Sequence, residues 1–297
     1  MRRSATWLLT TATVLAVITG GPAGAAARVA TPAKMIGVLN AERMANGIPA
    51  GITTNATWNT RCKHHDNYMA LNQQLTHEED PNAPGFTKGG AWAGQHSVLE
   101  YGSTWGNGDP YVQAPIHFAQ LMAPVMNRSG GFELARGGTV WGCTVTLAGQ
   151  HRHIPAANHV YTYPGPGTKG VRFAYHASEG PFTPNDLVHT SNDCGQELFV
   201  FVFGPALTAG PGGYRTDVTR ATLRPVGGSN VAVKIADGTT KIPGQSYTLG
   251  NYLGPGAGIV IPVKALKAST TYAANVTVRV NGVSLHRSWQ FTTKPAS

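Results

Sequence analysis

The spacing of hydrophobic residues changes character along this chain, from helical steps to strict alternation. Over residues 31–47, Ile36, Leu39 and Met44 supply one apolar face. Thr31 is a capping residue, Pro32 suits a first helical position, and Gly47 sits where a glycine ends a helix, so the segment predicts a helix. After a turn at 51–55, Trp58, Cys62, His65, Met69 and Asn72 recur at steps of three and four and predict a second helix. His65 inside that stripe reads as a hydrogen-bonded core histidine. The period then stops over residues 75–92, where Thr76-His77-Glu78-Glu79-Asp80-Pro81 reads as loop. Asp109-Pro110 predicts another helix start, with Val112, Ile116 and Ala119 inward and Pro124 as the stop.

From Thr139 the period becomes two. Trp141, Cys143, Val145 and Leu147 alternate with Gly142, Thr144 and Thr146, the pattern of a half-buried strand. A further strand at 159–163 ends at Pro164-Gly165-Pro166-Gly167, the expected limit of a first domain. Residues 167–195 read as a connector rich in turn residues. The run 198–203 reads as a buried strand, followed by strand-like runs at 231–235, 258–261, 271–280 and 288–293. Asn281-Gly282 is a hairpin signal, and no helical period survives past residue 200. Residues 196–297 therefore predict an all-β sandwich after a mixed first domain.

The first 27 residues read as an address. Arg2 and Arg3 precede an uncharged apolar run, Gly20-Gly21-Pro22 breaks it, and Ala23-Gly24-Ala25 offers a cleavage site for a signal peptide. The run is shorter than the roughly 20 residues that a bilayer requires, so the mature chain is expected to be released, with no transmembrane segment. Glycine (37) and proline (20) are abundant in the 297 residues, which favours loop-rich and β-rich structure. The net charge of +9 is spread without a basic tract, which argues against a nucleic-acid reader and leaves weak attraction to anionic surfaces.

Candidate chemistry is sparse. Ser97 has no nucleophile-elbow glycines around it, and His77-Glu78-Glu79 lacks the helical two-histidine spacing of zinc proteases. No phosphate loop or dinucleotide fingerprint occurs, and His151-Arg152-His153 reads as solvated loop. Export permits one disulfide among Cys62, Cys143 and Cys194; the expectation favours Cys62 with Cys143, both core-facing within the first domain.

Five short elements in order resemble the CAP superfamily of cysteine-rich secretory, antigen and pathogenesis-related proteins. They are Leu39-Asn40-Ala41-Glu42-Arg43 with Gly47-Ile48-Pro49; Cys62-Lys63-His64-His65 with Tyr68; His77; Gly94-Gln95-His96-Ser97-Val98-Leu99; and Ala114-Pro115-Ile116-His117. The C-terminal Pro262, Leu266, Thr270-Thr271-Tyr272 and Trp289-Gln290-Phe291-Thr292-Thr293 resemble bacterial immunoglobulin-like domains. The resemblance implies an α+β protein, with a three-layer α-β-α CAP sandwich over 31–166 followed by an immunoglobulin-like sandwich.

It also implies a shallow cleft in which His77 and His117 face each other, with a divalent metal such as zinc as a possible cofactor. The family's usual glutamate is Gln95 here, which brings neither negative charge nor a general base. The second acidic position stays open between Glu100 and Glu79, and Ser97 completes the expected cleft set. The leading expectation is a secreted, non-enzymatic binding protein for a lipid, a cell-wall fragment or a host component. The alternatives are a metal-assisted hydrolase using His77 and His117, and an adhesion or spacer protein dominated by the β-sandwich.

Overall fold

A computed structural model describes residues 29–208 and 215–296. The expected signal peptide lies outside the described residues. No described helix is long and apolar enough to cross a membrane. The protein is a mixed α+β fold.

The first half is built on helices α1 (Pro32–Ala45), α2 (Ala56–Asn72), α3 (Lys88–His96) and α4 (Pro115–Met122). They flank strands β1 (Ser97–Tyr101), β2 (Gly131–Arg136) and β3 (Thr139–Val145), which form an antiparallel sheet in the order β1-β3-β2. Register decides its two faces. Leu99 and Phe132 both lie opposite Cys143, and this row packs with Met69 and Ala93 beneath α2 and α3. Cys62 of α2 is bonded to Cys143 across that layer. One residue along, Glu100 and Glu133 both lie opposite Gly142 and face the other way, because successive strand side chains alternate. There Met35 of α1 packs against Gly131, and the buried Trp105 donates its ring N–H to Thr144.

The second half contains β4 (His159–Tyr163), β5 (Leu198–Phe203), β6 (Asp217–Pro225), β7 (Val233–Asp237), β8 (Ala257–Pro262), β9 (Thr271–Val280) and β10 (Val283–Thr292). One sheet runs β7-β8-β5-β4 and the other β6-β9-β10. All six residues of β5 are buried. Phe199 and Phe201 pack on the helices, with Phe118 of α4 5.0 Å from Phe199. Leu198, Val200 and Val202 pack on the second sheet. A strand covered on both faces reads as an unbroken apolar run. In β9 only every second residue is buried, because its other face meets solvent.

The strand at 159–163 does not close a separate first unit. It pairs with β5 from His159 opposite Phe203 to Tyr163 opposite Phe199. The helices of the first half thus share one apolar core with the β7-β8-β5-β4 sheet. The buried guanidinium of Arg43 ties α1 to the end of α4 by donating to the carbonyls of Leu121 (2.6 Å) and Ala123 (3.0 Å).

Several local expectations differ from the structure, among them Met44, which is exposed, and Leu147, which lies beyond the end of β3. Helix α3 lies largely within the stretch read as loop, because Gly89, Gly90 and Gly94 mask its period while Thr87 caps Gly90 N. Helix α4 starts at Pro115 rather than at Asp109-Pro110, since Asp109 instead holds the amide of Tyr111 in a turn (2.8 Å). A short helix, Gly250–Leu253, occurs past residue 200, where two buried leucines, Leu249 and Leu253, seat it against the shared core.

Candidate functional site

A cavity of about 580 Å³ opens between the loop after α2, strand β1, the start of α4 and residues 178–180. His77, His117, Glu100, Tyr111 and Glu179 line it, with Leu75 and Tyr101 at its edge. The two histidines arrive from different elements. His77 sits in the 75–87 loop and is anchored by Nδ1–H donating to the carbonyl of Gly94 (2.7 Å). Gly94 has to be glycine there, because a Cβ would stand 2.4 Å from the carbonyl of His77 and 2.5 Å from the His65 ring. His117 lies in the first turn of α4, and its Nδ1–H donates to Glu179 (2.9 Å).

With Nδ1 of each ring donating, the lone pair belongs to Nε2. The rings are stacked, with centroids 6.4 Å apart and planes within 9°. Neither Nε2 has a hydrogen-bond partner among the described residues, so the cavity carries two neighbouring acceptors. Desolvation lowers the pKa of His77, and the neighbouring His117 and His65 add to that shift, while its bond to Gly94 opposes it.

Glu179 holds more than the ring. Helix α4 has Ala114 at its N-cap and no side-chain cap of its own. The Glu179 carboxylate accepts from Ile116 N (2.9 and 3.0 Å) and His117 N (3.3 Å), where it also meets the positive end of the helix dipole. One carboxylate therefore fixes the helix start and orients the imidazole. Sequence reading missed it, since Glu179 lies in the expected connector and its spacing from His117 carries no periodic signal.

Glu100 reaches the same cavity from below. Gly142 makes room for it, since a Cβ there would stand 2.5 Å from its Cγ. Among the described residues, Glu133 is the one carboxyl group that comes within reach of Glu100, and no other group bonds its carboxyl oxygens. Burial, reinforced by the Glu133 charge, pushes its pKa up to about 10. Glu133, in the same row, accepts from Thr104 Oγ1 (2.8 Å), Trp105 N (2.6 Å) and Ala30 N.

The remaining expected residues fall elsewhere. Gln95 is exposed on the last turn of α3 and does not line the cavity. Ser97 is buried on the opposite sheet face beside the disulfide, its hydroxyl 3.2 Å from Cys143 Sγ. Ser97 stands at the first position of β1 and packs at the disulfide, whereas Leu99, Glu100 and Tyr101 further along the strand line the cavity. Glu79 is also outside the cavity, buried against His65 with Nδ1 to Oε1 at 2.9 Å.

Neutral imidazoles suit zinc, and a carboxylate behind one of them is a common supporting arrangement. A catalytic zinc, however, takes three protein ligands and leaves one position open. No group of three or more His, Cys, Asp or Glu that could hold a metal occurs among the described residues. The donors here do not make such a centre.

No model of a known protein family matches the chain, and no curated protein matches it.

Proposed function

We propose that the protein is a secreted, non-enzymatic binding protein of CAP type, with the cavity at His77 and His117 as its ligand site. The observation that carries this reading is the pair of stacked imidazoles, each fixed through Nδ1 and each offering Nε2 to the cavity. Two acceptors side by side call for hydrogen-bond donors, such as hydroxyl or amino groups on the ligand. The rim is apolar: Leu75 is 51% and Tyr101 55% exposed, although both are large hydrophobic residues. A polar floor under an apolar rim fits an amphiphile, which favours the lipid among the ligand classes considered. The order of short elements resembling the CAP superfamily and the expected signal peptide support the same reading.

The hydrolase alternative asks the two histidines to act without a third metal ligand or an adjacent nucleophile, and nothing in the donor set favours it. The test is titration of the mature protein with a fluorescent long-chain amino alcohol. Wild type is expected to bind saturably. His77→Ala with His117→Ala, and separately Leu75→Ser with Tyr101→Ser, are expected to weaken binding at least tenfold. Absence of binding, or binding indifferent to both double variants, would overturn the proposal. Micromolar zinc binding lost in the histidine variant, together with peptide cleavage, would restore the hydrolase.

A further inference from the structure

Charge is divided unevenly along the described chain. Residues 29–208 hold ten lysines and arginines against twelve aspartates and glutamates, a net of −2. Residues 215–296 hold ten against two, a net of +8. Both of those acids are engaged. Asp217 pairs with Arg279 at 2.6 Å, and the buried Asp237 accepts from Val218 N (2.7 Å) and Thr239 N (2.9 Å). The surplus that reads as scattered along the chain is therefore concentrated in residues 215–296, which supply strands β6 to β10.

Strand register places part of it on one surface. On the outward face of β6-β9-β10, Arg220, Thr277 and His286 stand in one row, and Arg224 shares another with Gln290. Between them lies a row of hydroxyl and amide groups, Thr222, Asn275 and Ser288. The aromatic residues of this sheet, Tyr272, Trp289 and Phe291, are buried on its inward side.

The face continues into a cavity of about 520 Å³ between the edge strands β4 and β10. His286 belongs to both surfaces, and no carboxylate among the described residues lines the cavity. Arg287 does line it, and its Nε is buried without a hydrogen-bond partner among the described residues. A guanidinium left without an acceptor beside an acid-free cavity calls for an anion.

We infer that this end of the molecule docks an acidic polysaccharide, with Arg287 and its cavity as the anchor and the outward face of β6-β9-β10 as the track. Charge complementarity selects a polyanion. The alternating hydroxyl, amide and guanidinium groups suit sugar hydroxyls and acid groups together. Single-stranded nucleic acid would ask for outward aromatic rings on which bases stack, and a lipid surface for outward apolar side chains. The outward rows contain neither. This site is separate from the histidine cavity, so either can fail without the other.

The test is binding of the full mature protein to alginate, a polyuronate, with neutral dextran, single-stranded DNA and anionic phospholipid vesicles as competing probes. Alginate is expected to bind in 50 mM salt and at least tenfold more weakly in 300 mM, as exposed charges are screened. The triple variant Arg220→Gln, Arg224→Gln, Arg287→Gln is expected to lose at least tenfold in affinity with its melting temperature retained. A control of equal charge, Lys34→Gln, Lys63→Gln, Arg136→Gln, is expected to stay within twofold of wild type. The proposal is overturned by no binding to alginate, by dextran binding as tightly, by DNA or vesicles binding more tightly, or by equal losses in the two triple variants.

Discussion

Two histidines in this protein hold a carboxylate at the same distance, in two different settings. His65 Nδ1 lies 2.9 Å from Glu79, and His117 Nδ1 lies 2.9 Å from Glu179. At His65 everything is closed. Both side chains are fully buried, Nε2 meets the carbonyl of Thr76 at 2.9 Å, and the other Glu79 oxygen accepts from Thr87 N at 3.0 Å. Each polar atom is consumed in joining α2 to the loop and to the cap of α3. At His117 the carboxylate side is equally well bonded, but Nε2 is left over and points into a cavity next to His77. The contact itself does not tell a structural histidine from one available to a ligand; the surroundings of the second nitrogen do.

The largest way to break this comparison is His65→Ala. It leaves a buried carboxylate with only its Thr87 bond, and the loss should be about 3 kcal/mol in a urea unfolding titration. A loss under about 1 kcal/mol would put the sealed pair on the same footing as the open one. His117→Ala should invert the pattern, with a stability change of about 1 kcal/mol or less and at least a tenfold loss of amphiphile binding. Glu179→Gln keeps an acceptor but removes the charge from the α4 start. A cost of about 1 kcal/mol, with a severalfold weaker amphiphile, is the expected result in the same two assays.

Glu100 sharpens the contrast through pH. Its folded pKa of about 10 stands above the ordinary 4.5, so the folded state keeps a proton that the unfolded state releases. Its effect on stability is therefore to lower it as pH rises from about 4.5 towards about 10. Thermal melts at pH 5 and pH 9 should show a larger fall for wild type than for Glu100→Gln; equal falls would mean that Glu100 ionises normally. Gln95→Ala should have the smallest effect, within about 0.5 kcal/mol and without change in binding, as befits an exposed side chain outside the cavity.

Legibility in the sequence followed burial geometry. Strand β9 has the bounds read from its pattern, Thr271–Val280, because one face is buried and the other wet. The start of α1 was equally plain, since Thr31 and Pro32 act within one turn. Helix α3 was not, because glycines that let it approach the 75–87 loop also erase its apolar period. At the site, the structure brings His77 and His117 to one cavity with Glu100, one of the two acidic residues between which the sequence left the choice open. Gln95 and Ser97 were drawn in by their neighbours in sequence, but the last turn of α3 leaves Gln95 exposed and Ser97 packs at the disulfide.

By itself the sequence determined what acts locally: the period of each strong element, the caps of the first helix, and the absence of any familiar catalytic spacing. It also contained the charge imbalance along the described chain, though only strand register puts Arg220 in a row with His286. Tertiary structure decided everything that joins distant segments. Glu179 meets His117 across 62 positions, and Cys62 meets Cys143 across 81. Strand β4 joins the sheet of β5 rather than closing a unit of its own. Such pairings follow from how apolar faces cover one another, and a side chain's sequence neighbours carry no record of which distant face will arrive.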